Sequence, residues 1–252
     1  MNEDSETNAH YETGRPAGNR QEAPGYSLTH ELRALYLEFL AEMPANERQT
    51  LIGFLETLAS SDVTADAKRV GDWAPDFRLI DSGREEVHLA YELKKGPVVL
   101  SFFRGVWCRF CILELLALQQ AYPDIRRFGA SLLGISPERA TSPTASHRLL
   151  DLSYPVLVDT GNAVARAFGL TFQLPGSMRQ LYGKWGHDLP SLNGDESWEL
   201  PVPATYVIDE NGSISAAYVD KDHTRRMEPS EIIFTLENLN RERNKKGRNH
   251  GQ

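Results

Sequence analysis

The segment Phe102-Phe103-Arg104-Gly105-Val106-Trp107-Cys108-Arg109-Phe110-Cys111 holds the only two cysteines of the chain, three residues apart. Pro97–Phe103 is a short run rich in Val and Phe and reads as a buried strand. Cys108–Tyr122 has helical periodicity and is expected to stop near Pro123. Cys108 then falls at a helix start and Cys111 one turn further on, on the same face. Their Cα atoms would lie roughly 5–6 Å apart, within disulfide range. A helix start offers unpaired N–H groups and a positive dipole end, which stabilise a thiolate. Cysteines so placed can titrate at about 3.5–7.5 in place of about 8.5. Arg104 and Arg109 are expected to add positive charge. Cys108 is therefore the expected nucleophile and Cys111 the resolving partner.

Other chemistries for the pair are weaker. A zinc site needs about four ligands, and no suitably spaced histidine pair accompanies the cysteines, so no metal is expected. A c-type haem site needs His directly after the second cysteine, where Ile112 stands. Two inert core cysteines remain an alternative. A second feature fits redox chemistry: Val202-Pro203-Ala204-Thr205 leads into the strand residues Tyr206-Val207-Ile208-Asp209. A proline just before a central strand is awkward. A cis peptide at Pro203 would explain it, with an ordinary trans link as the alternative. Thr205, beside Pro203, is placed to approach the thiols. Trp107 and Phe110 flank Cys108 and are expected to shape access. His88, His147, His187 and His223 stand singly and read as surface or packing residues.

The elements that must position these residues alternate along the chain. Ala130–Ile135 and Pro155–Asp159 read as strands, and a short helix is expected around Val164–Phe168. Ala204–Asp209 and Ser213–Val219 form a hairpin through Glu210-Asn211-Gly212, and Glu228–Leu239 is a last amphipathic helix. This order predicts an α/β fold, a mixed sheet covered by helices. Residues 171–202 are rich in Gly and Pro and read as an irregular loop of a length that is often functional, with a short helix at Met178–Trp185; its aromatics are expected to pin it to the core, with substrate contact as the alternative. Upstream, residues 26–68 form a helical extension. Its first helix carries Leu32, Leu35, Tyr36, Phe39 and Leu40 and ends at Pro44. Its second is expected to be capped by Asn46. The apolar face of this pair is expected to dock on the main domain, residues 69–240, with a homodimer contact as the other use.

The chain has 252 residues, 40% hydrophobic and 25% charged, with net charge −8. Residues 1–25 hold five acids and two bases and lack large aliphatics, so a disordered tail is expected. Residues 241–252 hold five bases and one acid and read as a basic, disordered tail. The acidic body between them argues against a nucleic-acid partner. No apolar run approaches the roughly 18–20 residues of a membrane span. With two cysteines and an acidic start without an apolar stretch, the expected compartment is the cytoplasm.

Val70–Phe77 (V-G-D-W-A-P-D-F), Pro97–Phe103, W-C-R-F-C, Asp159–Leu170 (D-T-G-N-A-V-A-R-A-F-G-L) and Val202–Gly212 (V-P-A-T-Y-V-I-D-E-N-G) together resemble one family. It is the alkyl hydroperoxide reductase/thiol-specific antioxidant family, of the thioredoxin-like fold. The branch is similar to peroxiredoxin-like proteins of the bacterioferritin-comigratory type with a C-x-x-C turn, and the match covers about residues 69–240. The resemblance implies a thioredoxin-like mixed sheet with Val70–Phe77 as its opening strand. It implies a thiol peroxidase without cofactor, acting on hydroperoxides through a Cys108 sulfenic acid and a Cys108–Cys111 disulfide. A thioredoxin or other dithiol reductant would recycle it. A protein disulfide reductase or a non-enzymatic redox sensor are the alternatives. The family pattern is not complete: Gly105 stands where a Thr or Ser is usual, Pro203 where an Arg is usual, and the usual proline upstream of Cys108 is missing. Arg104 is the nearest substitute for the missing arginine.

Overall fold

The computed structural model describes residues 27–139 and 150–249. The tail at 1–25 and His147 lie outside the described residues. The strands are β1 (Arg78–Asp81), β2 (Glu86–His88), β3 (Val98–Phe102), β4 (Ser131–Ser136), β5 (Val156–Val158), β6 (Thr171–Gln173), β7 (Glu199–Pro201), β8 (Ala204–Ile208) and β9 (Ile214–Val219). The helices are α1 (Leu28–Glu42), α2 (Ala45–Ser60), α3 (Leu89–Glu92), α4 (Arg109–Arg127), α5 (Ala163–Ala167), α6 (Gly176–Lys184), α7 (Leu189–Asn193) and α8 (Pro229–Asn249).

One seven-stranded sheet runs in the order β2-β1-β5-β4-β3-β8-β9. β3 is parallel to β4 and antiparallel to β8, and β4 is parallel to β5. The crossover from β3 to β4 is α4. All of β3 is buried, as a strand covered on both faces must be. Its alternation divides the core: Val99 joins one apolar cluster with Leu132, Val207 and the α4 residues Leu115, Leu118 and Ile125. Val98, Leu100 and Phe102 join the other, with Leu133, Ile135, Tyr206 and Phe168. Each fully buried side chain of this size stabilises by roughly 1.5–3 kcal/mol. This is the mixed sheet flanked by helices that the sequence predicts, with the helical pair α1 and α2 in front of it. The apolar face of that pair packs on the main domain: Phe39 and Tyr36 meet Phe110 of α4, and Phe54 meets Phe172 of β6.

Several expectations are corrected. Residues 70–77 are not a strand; Trp73 makes one isolated bridge to Ser213, and pairing starts at Arg78. Gly71 has φ +92°, and Pro75 lacks an N–H, so a continuous ladder is not possible there. Helix α4 runs through Pro123 to Arg127. Ala121 and Ile125, on either side of that proline, are both buried, and packing outweighs the lost hydrogen bond. Pro44, not Asn46, occupies the cap of α2, and its carbonyl accepts from Arg48 N at 2.9 Å. The last helix continues past Leu239 to Asn249. Arg241 pairs with Glu237 and Arg243 with Glu210, so these two bases lie on a helix and not in a disordered tail. Residues 171–202 hold more regular structure than an irregular loop: β6 and β7 form a two-stranded ribbon, and between them lie α6, over the short helix the sequence predicts, and α7.

Candidate active site

β3 ends at Phe102 and the chain turns through Arg104–Trp107 into α4, so the cysteines sit beyond the carboxyl end of a central parallel strand. That is where open α/β sheets place ligands. Cys108 is the residue capping α4, and its carbonyl accepts from Cys111 N at 2.9 Å and Ile112 N at 3.1 Å. Its sulfur makes no capping bond to the helix N–H groups. The helix end acts on it through the dipole, and the direct partner is an arginine: Arg104 Nη2 donates to Cys108 Sγ at 3.0 Å. Arg104 Nη1 donates to the Tyr182 hydroxyl at 2.8 Å, so α6 fixes the guanidinium from above. Both cysteines are free thiols, Cys108 4% exposed and Cys111 fully buried.

A second arginine lies below. Arg226, between β9 and α8, donates from Nη2 to Cys111 Sγ at 3.3 Å. Its Nε is ion-paired with Glu114 of α4, and both side chains are buried. Glu114 also accepts from Ser101 Oγ of β3 at 3.0 Å and from Thr205 Oγ1 of β8 at 3.4 Å. Arg226 Nη1 donates to the His223 carbonyl at 2.8 Å.

These charges separate the two thiols. Burial acts to raise Cys108, but the hydrogen bond with Cys111 and the charges of Arg104 and Arg226 outweigh it and hold this thiol well below the ordinary cysteine range. Burial pushes Cys111 well up, and the Cys108 hydrogen bond and charge push it further, against Arg226 and Arg104. The site thus favours the thiolate at Cys108 and the neutral thiol at Cys111. Burial, then Arg104 and Arg226, hold His223 well below the usual imidazole range, so it is a neutral packing ring against Phe110.

The predicted site residues divide. Arg104, Trp107, Cys108 and Cys111 converge. Trp107 packs edge-on to Tyr182 with centroids 5.4 Å apart, beneath the Arg104 guanidinium and beside His187. Arg109 does not join them. It is exposed and 3.9 Å from Glu42 of α1, because the next helical position turns about 100° away from Cys108. Thr205 bonds Glu114 rather than a thiol. The peptide at Pro203 is trans. Pro203 stands between β7 and β8, where Val202 N bonds to the Leu170 carbonyl. Gly105 has φ +144°, and a Cβ there would collide with Trp107 Nε1 and come within 3.1 Å of Glu138 Oε2. The indole therefore occupies the space of a Thr or Ser side chain. Among the described residues, Trp107 Nε1 and Arg104 Nε are buried without an acceptor. No group of metal-ligating side chains occurs among the described residues.

Arg226, Glu114 and Tyr182 were missed from sequence. Glu114 alone had a local signal, standing one turn beyond Cys111 on a helix face that is otherwise apolar.

Comparison with known proteins agrees with this frame. A peroxiredoxin Q, chloroplastic, of Gentiana triflora is 28% identical over 148 residues, 59% of this chain and 58% of that protein, so the match spans less than two thirds of its length. A thiol-disulfide oxidoreductase ResA of Bacillus thuringiensis subsp. konkukian is 27% identical over 150 residues, 59% of this chain and 83% of that one. Among solved structures, the peroxidoxin BcpB of Mycobacterium tuberculosis superposes with TM-score 0.52 at 22% identity, over 67% of this chain and 96% of that chain, and shares the fold. The AhpC/TSA family model matches residues 70–217, which contain both cysteines, Arg104, Trp107, Glu114 and Tyr182. With that match over more than half of its length, the chain belongs to the AhpC/TSA family.

Proposed function

We propose that the protein is a thiol-dependent peroxidase that reduces hydrogen peroxide and organic hydroperoxides. The observation that carries this reading is the Arg104 guanidinium 3.0 Å from Cys108 Sγ at the start of α4, within an AhpC/TSA frame. The Cys108 thiolate attacks one hydroperoxide oxygen, the O–O bond breaks, and the other oxygen leaves as alkoxide or hydroxide and takes up a proton. Cys108 becomes a sulfenic acid. Arg104 Nε and Trp107 Nε1, buried donors without acceptors, are the groups left to receive the peroxide oxygens in place of a threonine. Cys111 then condenses with Cys108, releasing water and forming the disulfide. A thioredoxin or similar dithiol donor reduces it by exchange. These steps need no cofactor.

The cytoplasm, where dithiol donors are supplied, belongs to the same proposal. Among the described residues no helix is long and apolar enough to cross a membrane.

The test is the second-order rate of hydrogen peroxide with the reduced protein, followed by tryptophan fluorescence in stopped flow. A fast phase lost in Cys108→Ser supports the proposal. A rate no better than that of a free thiolate at the same pH removes it.

The likeness to a thiol-disulfide oxidoreductase and the C-x-x-C helix start favour a second reading, reduction of protein disulfides. Against it, Cys108 is 4% exposed, and α1 covers Phe110 in the middle of the turn. A small peroxide needs far less access than a partner protein. Insulin-type disulfide reduction dependent on both cysteines would favour the second reading.

A further inference from the structure

We infer that Arg226, braced by Glu114, is the positioning residue of the second thiol: it makes Cys111 a nucleophile once Cys108 has been oxidised. The inference builds on the two-cysteine reading above but not on the identity of the oxidant.

The geometry is a fork. Arg226 uses Nε for Glu114 and Nη2 for Cys111 Sγ at 3.3 Å, while Nη1 is tied to the His223 carbonyl at 2.8 Å and the Arg225 carbonyl at 2.6 Å. Glu114 is held in turn by Ser101. A buried arginine anchored at three points loses little freedom when it acts on a fourth group.

The two arginines have different charge partners. Arg104 faces the Cys108 thiolate and the Tyr182 hydroxyl. Arg226 already has a carboxylate and so leaves Cys108 chiefly to Arg104. In the reduced protein Cys111 is held neutral by burial, by its hydrogen bond to Cys108 and by the Cys108 charge. Oxidation of Cys108 to the sulfenic acid removes that charge. Arg226 is then left as the positive group in contact with Cys111. Other titratable or charged groups around the thiol pair include Arg104, Glu114, Tyr182, His187 and neutral His223, and Glu138, which accepts from Val106 N in the turn before Cys108. The Cys111 thiolate attacks Cys108 sulfur, the S–O bond breaks, and hydroxide leaves and takes up the proton Cys111 gave up. The cysteine activity is thereby ordered in time: Cys111 does not compete with Cys108 for the first oxidant.

The test separates the two thiols with dithiodipyridine. The first equivalent of thione reports attack by Cys108, and the second reports attack by Cys111 on the mixed disulfide. A charge at this distance moves a thiol by about one to three pH units, and nucleophilicity offsets about half of the effect on rate. Arg226→Gln is expected to slow the second phase about tenfold and the first phase much less. Arg226→Lys keeps the pair with Glu114 but loses the fork, so a folded protein is expected even if Arg226→Gln does not fold. In Arg226→Lys the second phase is expected to slow about threefold, with its pH midpoint moved up by about one unit. A folded Arg226→Lys with second-phase rate and midpoint unchanged overturns the inference. So does an equal slowing of both phases, which would mean a merely structural role. If wild-type protein reacts poorly with hydrogen peroxide, the peroxidase reading fails, while the thione phases still decide the role of Arg226.

Discussion

At the scale of single residues, the site replaces one activation scheme with another. Gly105 cannot be the usual Thr or Ser, because its backbone stands at φ +144° and the Trp107 indole fills the side-chain space. Gly105→Thr is expected to destabilise by about 2–3 kcal/mol, from backbone strain plus overpacking. It is also expected to lower peroxide reactivity, although it restores the family's usual residue. Urea unfolding and stopped-flow oxidation of the same variant check both parts. Arg104 supplies part of the remaining activation, through its charge and its hydrogen bond to Cys108 Sγ. Cys108 lies well below the ordinary cysteine range because the Cys111 hydrogen bond and the Arg104 and Arg226 charges outweigh burial. Arg104→Gln removes one of these, so the thiolate is expected to form roughly one to three pH units higher. The thiolate is the nucleophile, so the loss of rate is largest at acid pH and fades above the new midpoint. Ultraviolet titration of the thiolate and the rate profile against pH are expected to move together.

At the scale of elements, what was legible in the sequence is what is local. Strand, turn and helix around Cys108 could be read because an apolar run, a glycine and a helical period follow one another within thirty or so residues. The Arg104–Cys108 contact spans four positions, within one turn of chain. Arg226 meets Cys111 across 115 positions and Tyr182 meets Arg104 across 78. No spacing rule connects them, and only the order of strands in the sheet brings them together. Residues 171–202 read as irregular for a related reason: their glycines and prolines mark the ends of short elements, and the ribbon pairing of β6 with β7 is visible only once the chain is folded. The cover formed by α1 is also non-local. Phe39 meets Phe110 at 6.1 Å and Trp185 at 5.6 Å, both edge-on. Phe39→Ala is expected to cost about 2 kcal/mol, less than a fully buried aromatic because Phe39 is half-buried. It is also expected to speed attack on bulky dithiodipyridine severalfold while changing the hydrogen peroxide rate much less. Equal acceleration with both oxidants would mean that α1 does not screen by size.

At the scale of the whole molecule, side chains before the last helix clasp the N-terminal helical pair at both of its ends. Glu228, just before α8, accepts from Ser27 Oγ at 2.7 Å, Leu28 N at 3.1 Å and Thr29 N at 2.7 Å, and so caps α1 from 200 positions away. Lys221 donates to the Ala59 and Ser61 carbonyls at the opposite end of the pair, where the dipole of α2 is negative. Trp185 Nε1 donates to Glu47 Oε2 at 2.9 Å. These clasps, with Phe39 and Tyr36, hold the helical pair against Phe110, between the two cysteines in the chain. Glu228 makes the docking sensitive to acid. Burial acts to raise its carboxyl, but the donors at Thr29, Ser27 and Leu28 outweigh it and hold it below the ordinary carboxylate range. The sign follows from linkage: a lowered carboxyl contributes its stability above the unfolded value and loses it as pH falls through the folded value. Solvent screens this carboxyl, and the loss is of the order of a helix cap, about 1 kcal/mol. Glu228→Gln is therefore expected to raise hydrogen exchange at the α1 amides severalfold at neutral pH. The wild type is expected to approach the same exchange, once corrected for intrinsic rates, only as pH falls below the ordinary carboxylate range. If α1 exchanges alike in both proteins at neutral pH, the clasp is not what holds the cover, and its apolar contacts with Phe110 and Trp185 carry the docking alone.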